Sequence, residues 1–244
     1  DTADLFFGQA VGVENFADGF VVIDIDLLGR FAGGLFLVRF GGAGSGDGGS
    51  FHFENGHALL WTEYANYKDR PNFAMLDELT EKYGETVATW MNKRLRNLLV
   101  FPNVFIMDQT STQIRHFRPI SPTKTEVTIY CFAPKNESEG ARTLRIRQYE
   151  DFFNATGMAT PDDLEQFRSC QNGFQASEVP WNDLSRGAKH WIDGQDEAAK
   201  DIDLFPLLSG AKSEDEGLFV VQHEHWANTL KNIPDEEGRI IYKR

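Results

Sequence analysis

His52, Glu54 and His57, in the stretch "SFHFENGHALLW", combine two imidazoles with a carboxylate. That donor set can hold ferrous iron on one side and leave the opposite positions open. If Asn55-Gly56 forms a two-residue turn, Glu54 faces His57 and His52 faces Leu59 across a β-hairpin. A hairpin without a second supporting element rarely preorganises a metal site, so ordinary surface polarity is the plainer reading. Asp162 and Asp163 stand in "ATPDDLEQF", where Thr160 is placed to cap a helix and Pro161 suits its first position. Acidic residues in a first helical turn stabilise any helix by ~0.3–1 kcal/mol each, and need no metal to explain them. Gly44, Gly46 and Gly49 satisfy G-x-G-x-x-G, but a dinucleotide site needs a helix next, and a hairpin pattern follows instead. His116 and His190 are isolated, and His223 and His225 share a strand face or a helix start; each reads as a structural histidine.

Charged and apolar residues recur at helical spacing from Met75 to Arg96, with Leu76, Leu79, Tyr83, Val87, Trp90 and Met91 on one stripe, which predicts a single long amphipathic helix. "NLLVFPNVFIMDQTSTQIRHFRPI" and "KTEVTIYCFAP" are rich in β-branched and aromatic residues and are separated by the turn "SPTK". They predict an antiparallel meander. Arg142 to Asn154 reads as helix, a second helix opens at Thr160, and "GLFVVQHEHWANTL" reads as strand running into helix. Residues 27–50 join an apolar run to a glycine-rich tract that reads as a loop. Strands and helices come in blocks, so the expected class is α+β: an antiparallel β-sheet flanked by helices, in one domain spanning 1–244.

With 37 acidic and 24 basic residues the formal net charge is −13, which argues against nucleic acid and anionic lipid as partners. Two cysteines, Cys131 and Cys170, make neither a disulfide framework nor a zinc site, and fit a reducing cytoplasm. No run approaches the ~18 apolar residues of a membrane span. The acidic start "DTADLFF" lacks the basic region of a signal peptide, and with no initiator Met the chain reads as a piece of a longer polypeptide.

"FENGHALLW", "NLLVFPNVFIMDQ", "KTEVTIYCFAPK", "RIRQYEDFFNATGMATPDDLEQFRSCQNGF", "WNDLSRGAKHW" and "EDEGLFVVQH" together resemble the catalytic domain of the alpha subunit of Rieske non-haem iron aromatic-ring-hydroxylating dioxygenases, in the benzoate/toluate branch. The resemblance runs from about Phe51 to Asn228 with few gaps. It implies a helix-grip-like domain that adds both atoms of O2 to a benzoate-like ring to give a cis-diol. It further implies a mononuclear Fe(II), a [2Fe-2S] Rieske cluster, an NADH-dependent reductase, and an assembly of three alpha with three beta subunits. Laid on the family's pattern, "ENFADGFVVIDID" matches Glu14, Asn15, Ala17, Asp18, Gly19 and Phe20. By position Asp18 is then the bridge that carries electrons from a neighbouring subunit's cluster, with Asn15 beside it. Asp163, ahead of Asp162, is the carboxylate ligand.

Two departures stand out. Val21 and Asp26 occupy the positions of the two expected histidine ligands, and no Cys-x-His or Cys-x-x-His pair is present to hold a Rieske cluster. A carboxylate without its imidazoles holds Fe(II) weakly, which predicts an iron-poor, inactive chain. Because the departures crowd the front while Phe51 onward keeps its benzoate-type character, a fragment or a disturbed reading frame explains them better than slow drift. The competing expectation is an iron-free homologue that binds an aromatic ligand or a partner subunit. A nucleotide-binding module ranks third, and a strand after Gly49 would exclude it.

Overall fold

The computed structural model describes residues 21–25 as backbone, and residues 47–176, 178 and 181–231 with their side chains. Among these, nine strands form one antiparallel sheet in the order β1-β7-β6-β5-β4-β3-β2-β9-β8. The strands are β1 Val21–Ile25, β2 Gly48–His52, β3 Ala58–Glu63, β4 Arg94–Val100, β5 Val104–Asp108, β6 Thr112–Ser121, β7 Lys124–Cys131, β8 Trp191–Asp193 and β9 Leu208–Gly210. The helices are α1 Leu76–Tyr83, α2 Glu85–Lys93, α3 Glu139–Gln148, α4 Thr160–Phe174, α5 Glu197–Lys200 and α6 Gly217–Lys231. The α+β expectation and the β4–β7 meander hold, with the turn at Pro122 and Thr123 as expected.

Alternation along the strands sorts side chains onto two faces. On one face Phe51, Leu59 and Trp61 pack with Trp90 of α2 and with Ala199, Ile202 and Leu204. On the other, Ala58, Leu60 and Leu99 pack under Leu218 of α6, while Met107, Phe117, Val127 and Ile129 pack under Tyr149, Phe153 and the α4 residues Leu164 and Phe167. This second face is thus gripped from both ends, by α6 over β2–β4 and by α4 over β5–β7.

Several expectations are corrected. The long helix is two, because Gly84 adopts φ 84° and ψ 162°, a conformation that costs a residue with a Cβ far more than glycine. The backbone turns there, and β4 begins at Arg94. The hairpin after β2 is longer by one residue than a two-residue turn. A short 3-10 turn, Glu54–Gly56, with Asn55 at φ 60° and Gly56 at φ 76°, pairs His52 with Ala58 rather than with Leu59. A one-residue slip exchanges faces, so the predicted alignment of His52, Glu54 and His57 is lost. Gly48, Gly49 and Ser50 belong to β2, not to a loop, and a strand where the dinucleotide motif needs a helix removes the nucleotide reading. Thr160 lies inside α4, behind Ala159 at the cap, and its hydroxyl donates to the Phe153 carbonyl at 2.8 Å. "GLFVVQHEHWANTL" is helix throughout, in α6. The helix expected from Arg142 to Asn154 is present, as the greater part of α3 followed by a π-helical turn, Tyr149–Phe153, which Asn154 ends.

Candidate functional site

The gripped face carries a line of buried polar side chains between the two hydrophobic ends. Asn97 of β4 accepts at 3.0 Å from Gln109 Nε2, and Gln113 of β6 donates at 3.2 Å to Ser111 Oγ. Arg115 Nε donates to Gln113 Oε1 at 3.1 Å. Register places Arg115 between Phe105 of β5 and Ile129 of β7, so it shares their face. Its guanidinium lies 5.6 Å from the Phe153 ring.

The π-helical turn brings the lid of this face into place. Asn154 N donates to the Tyr149 carbonyl at 3.0 Å, the wide loop that single π turns add to a helix, often at functional sites. Met158 N and Ala159 N donate back to the carbonyls of Asp151 and Phe152, and with the Thr160 hydroxyl they tie the start of α4 to that turn. Asp162 is exposed, whereas Asp163 is turned inward, with Oδ2 buried and without a hydrogen-bond partner. Tyr149 Oη is buried in the same condition. Burial pushes the Asp163 carboxyl up to about 7 against the opposing pull of Arg115, with Asp162 adding to the rise. Burial likewise lowers Arg115 to about 10, while Asp163 and Tyr149 hold it up. A carboxyl, a phenol and a guanidinium from three elements therefore converge on one apolar face.

Of the site positions that the family resemblance implies, Asn15, Asp18, Val21, Asp26 and Asp163, Asp163 is the one whose side chain is described. Asn15, Asp18 and Asp26 lie outside the described residues. Val21 opens β1, opposite Ile129 of β7, and α4 runs alongside that strand. His52, Glu54 and His57 do not converge. His52 is buried against Ser50 Oγ at 3.2 Å and lowered by burial to about 4, with a Leu218 backbone hydrogen bond opposing. His57 Nδ1 accepts from the Phe101 backbone N–H at 3.0 Å, Glu54 is exposed, and His225 packs edge-on to Phe101. His116 meets Asn103 Nδ2 at 3.1 Å and His223 meets the Phe219 carbonyl at 2.6 Å, so both have structural partners. Among the described residues no group of three or more His, Cys, Asp or Glu is placed to hold a metal.

Arg115, Tyr149 and Gln113 escaped sequence reasoning. The available signal was weak: in "TQIRHF" Gln113, Arg115 and Phe117 alternate onto one face, and only the company of Phe117 marks that face as the buried one.

Residues 28–210 match the family described as ring hydroxylating alpha subunit (catalytic domain). Over 194 residues the chain is 60% identical to a 2-halobenzoate 1,2-dioxygenase large subunit of Burkholderia cepacia, covering 80% of this chain and 42% of that protein. It is 49% identical to a toluate 1,2-dioxygenase subunit alpha of Pseudomonas putida, covering 95% and 53%. With an anthranilate 1,2-dioxygenase large subunit of Acinetobacter baylyi it shares 45% identity, covering 75% and 39%. The chain thus spans about half the length, or less, of these relatives. A Rhodococcus naphthalene 1,2-dioxygenase structure superposes with a TM-score of 0.60 at 17% identity, over 74% of this chain and 44% of that one, a likeness of fold.

Proposed function

Since the chain belongs to the ring-hydroxylating alpha-subunit family, in its catalytic domain, we propose that it is the catalytic-domain portion of a dioxygenase that acts on benzoate-like acids. The product would be a cis-diol, with electrons drawn from NADH through a reductase and a Rieske [2Fe-2S] cluster. Three relatives of 45–60% identity are named for acids of one kind, a halobenzoate, a toluate and an anthranilate, and this agreement supports the substrate class. The observation that carries the reading is the family match together with the gripped apolar face headed by Asp163, Tyr149 and Arg115. A mostly apolar face with a few convergent polar groups is what an aromatic acid needs. In the whole protein the domain would assemble with beta subunits, three of each, and work in the cytoplasm; both cysteines are free thiols. No described helix is long and apolar enough to cross a membrane.

The mononuclear Fe(II) that the family implies does not fit the residues present. Asp163 offers a buried carboxylate oxygen, but valine has no donor atom, and Asp26 would supply an oxygen where an imidazole belongs. One or two carboxylates fall well short of the about six oxygen donors that a hard cation site needs without nitrogen ligands. We infer that this chain keeps the frame and the aromatic-acid pocket of the oxygenase without a competent iron set, and so does not turn over as written. The competing reading, an iron-free homologue that serves by binding, draws on the same observation.

A chimera separates the two. Residues 47–231 replace the matching stretch of the Pseudomonas putida toluate dioxygenase alpha subunit, whose own chain then supplies everything before residue 47. A chimera that converts benzoate to a cis-diol is the expected result. A folded, iron-loaded chimera that oxidises no benzoate would overturn the substrate reading and leave the binding homologue.

A further inference from the structure

We propose that the imidazoles of His57 and His225, joined through Phe101, form an acid-released latch that holds α6 on the turn between β2 and β3 and so closes one end of the gripped face. That turn carries Gly56 at φ 76°, buried against α6, where an added Cβ would meet His225 Cδ2 at 3.0 Å and the Phe101 ring at 3.2 Å. His57 follows directly, and its Nδ1 accepts from the Phe101 backbone N–H at 3.0 Å. The Phe101 ring in turn meets the His225 ring edge-on, with centroids 5.0 Å apart and planes at 90°. One residue at the β4–β5 connection is thus held twice, through its backbone by the turn and through its ring by the helix. Towards the start of α6, Leu218 packs on Ala58, Leu60 and Leu99, so the helix secured at His225 is the cover over β2–β4.

The bond to Phe101 exists in one protonation state. A neutral imidazole that accepts on Nδ1 carries its proton on Nε2, whereas an imidazolium is a donor at both nitrogens. Protonation of His57 therefore sets N–H against N–H at Phe101, and a proton on His225 adds like-charge repulsion across the same contact. Burial holds the half-buried His57 below its ordinary 6.5, and His225 adds to the lowering. With the folded value depressed, the latch is complete above about pH 6.5 and is lost as the pH falls through that lower value. The carboxylates nearest in sequence, Glu54 of the turn and Glu224 of α6, are both exposed, where water and salt screen them. His223 is engaged with the Phe219 carbonyl at 2.6 Å, and the connection from Phe101 to Asn103 has no titratable side chain. His116 lies beyond it, 3.1 Å from Asn103 Nδ2. A proton at this contact thus biases one packed helix against one turn, the form that protonation switches take.

Hydrogen exchange of the full chain at pH 7.5 and at pH 5.5, corrected for intrinsic rates and read by mass spectrometry, tests this in parallel with His57→Asn and His225→Gln. Asparagine can offer Oδ1 to the Phe101 N–H and does not titrate. Protection of α6 should fall by about threefold or more at the lower pH, while β6 and β7 keep theirs. In His57→Asn the fall should vanish, and in His225→Gln it should shrink. Unchanged protection of α6 in the unaltered chain overturns the latch. A loss that spreads equally to β6 and β7 also overturns it, because that pattern reports global unfolding, to which the buried His52 contributes. A fall of full size in His57→Asn does the same and places the acid response on another group. If His57→Asn does not fold, His225→Gln decides, since an undiminished fall there overturns the latch as well.

Discussion

Replacing Asp108 with Asn should be the most damaging near-isosteric change in the frame that supports the site. Asp108 ends β5 and is fully buried, with Oδ1 accepting from Arg70 Nη2 at 2.7 Å and Oδ2 accepting from Arg96 Nη2. The two guanidinia hold its carboxyl below the usual range despite burial. Arg70 spends its other donors on the carbonyls of Gln109 (3.0 Å), Met91 (3.1 Å) and Asn92 (2.6 Å), stapling the end of α2 to the β5–β6 connection. Asn keeps the shape and one carbonyl acceptor but leaves two buried cations facing each other. Breaking a buried ion pair from one side costs ~3–5 kcal/mol, and the remaining carbonyl hydrogen bond returns ~1 kcal/mol, so a net loss of about 3 kcal/mol is expected. With a urea slope near 3 kcal/mol per molar for a chain of this size, the unfolding midpoint should fall by about 1 M. Equilibrium unfolding followed by tryptophan fluorescence suits the measurement, because Trp61 and Trp90 are buried on that side of the sheet. A midpoint lowered by less than ~0.3 M at an unchanged slope would refute Asp108 as the counter-ion of this cluster.

Acid should destabilise the chain through His52, which is neutral in the fold because burial lowers it to about 4 from an ordinary 6.5. Its contribution is intact above pH 6.5, shrinks as the unfolded chain takes up the proton, and is lost by about pH 4, a swing of roughly 3 kcal/mol. His52→Gln should remove that part of the pH slope, and an unaltered slope in the variant would refute it. Gly187→Ala should lower Tm by several degrees, since Gly187 sits at φ 81° and an added Cβ meets the Asp215 side chain; a loss of ~2 kcal/mol corresponds to about 4–8 °C for a chain of this size. Iodoacetamide at pH 8 should label the exposed Cys170 well before Cys131, whose thiol burial pushes up to about 11; mass-spectrometric mapping that finds equal rates would contradict that burial.

The sheet was legible because its strands carry their own signals, β-branched and aromatic runs from Leu98 to Cys131 broken at Pro122. What misled was backbone geometry that one glycine decides. Gly84 split a helix whose stripe looked continuous, and Asn55 and Gly56, both at positive φ, lengthened a hairpin by one residue and so exchanged its faces. The Phe-Val-Val start of α6 has strand propensity, yet Leu218 buries itself in the core by packing the segment as a helix across β2–β4. Such tertiary context overrides local preference. Asp163 was named through family resemblance, since two acids at a helix start are unremarkable; their different exposure separates them. Arg115 was invisible because an arginine alternating along a strand reads as a solvent-facing residue until the covering helix is known.

The account turns on whether Asp163 is a lone carboxylate or part of a complete metal set. Metal content after anaerobic reconstitution with Fe(II), measured on the purified chain and on Asp163→Ala, decides between them. Iron far below one equivalent in both proteins is the predicted result. Near-stoichiometric iron that disappears in Asp163→Ala would contradict it, and would mean that further donors complete the site beside Asp163.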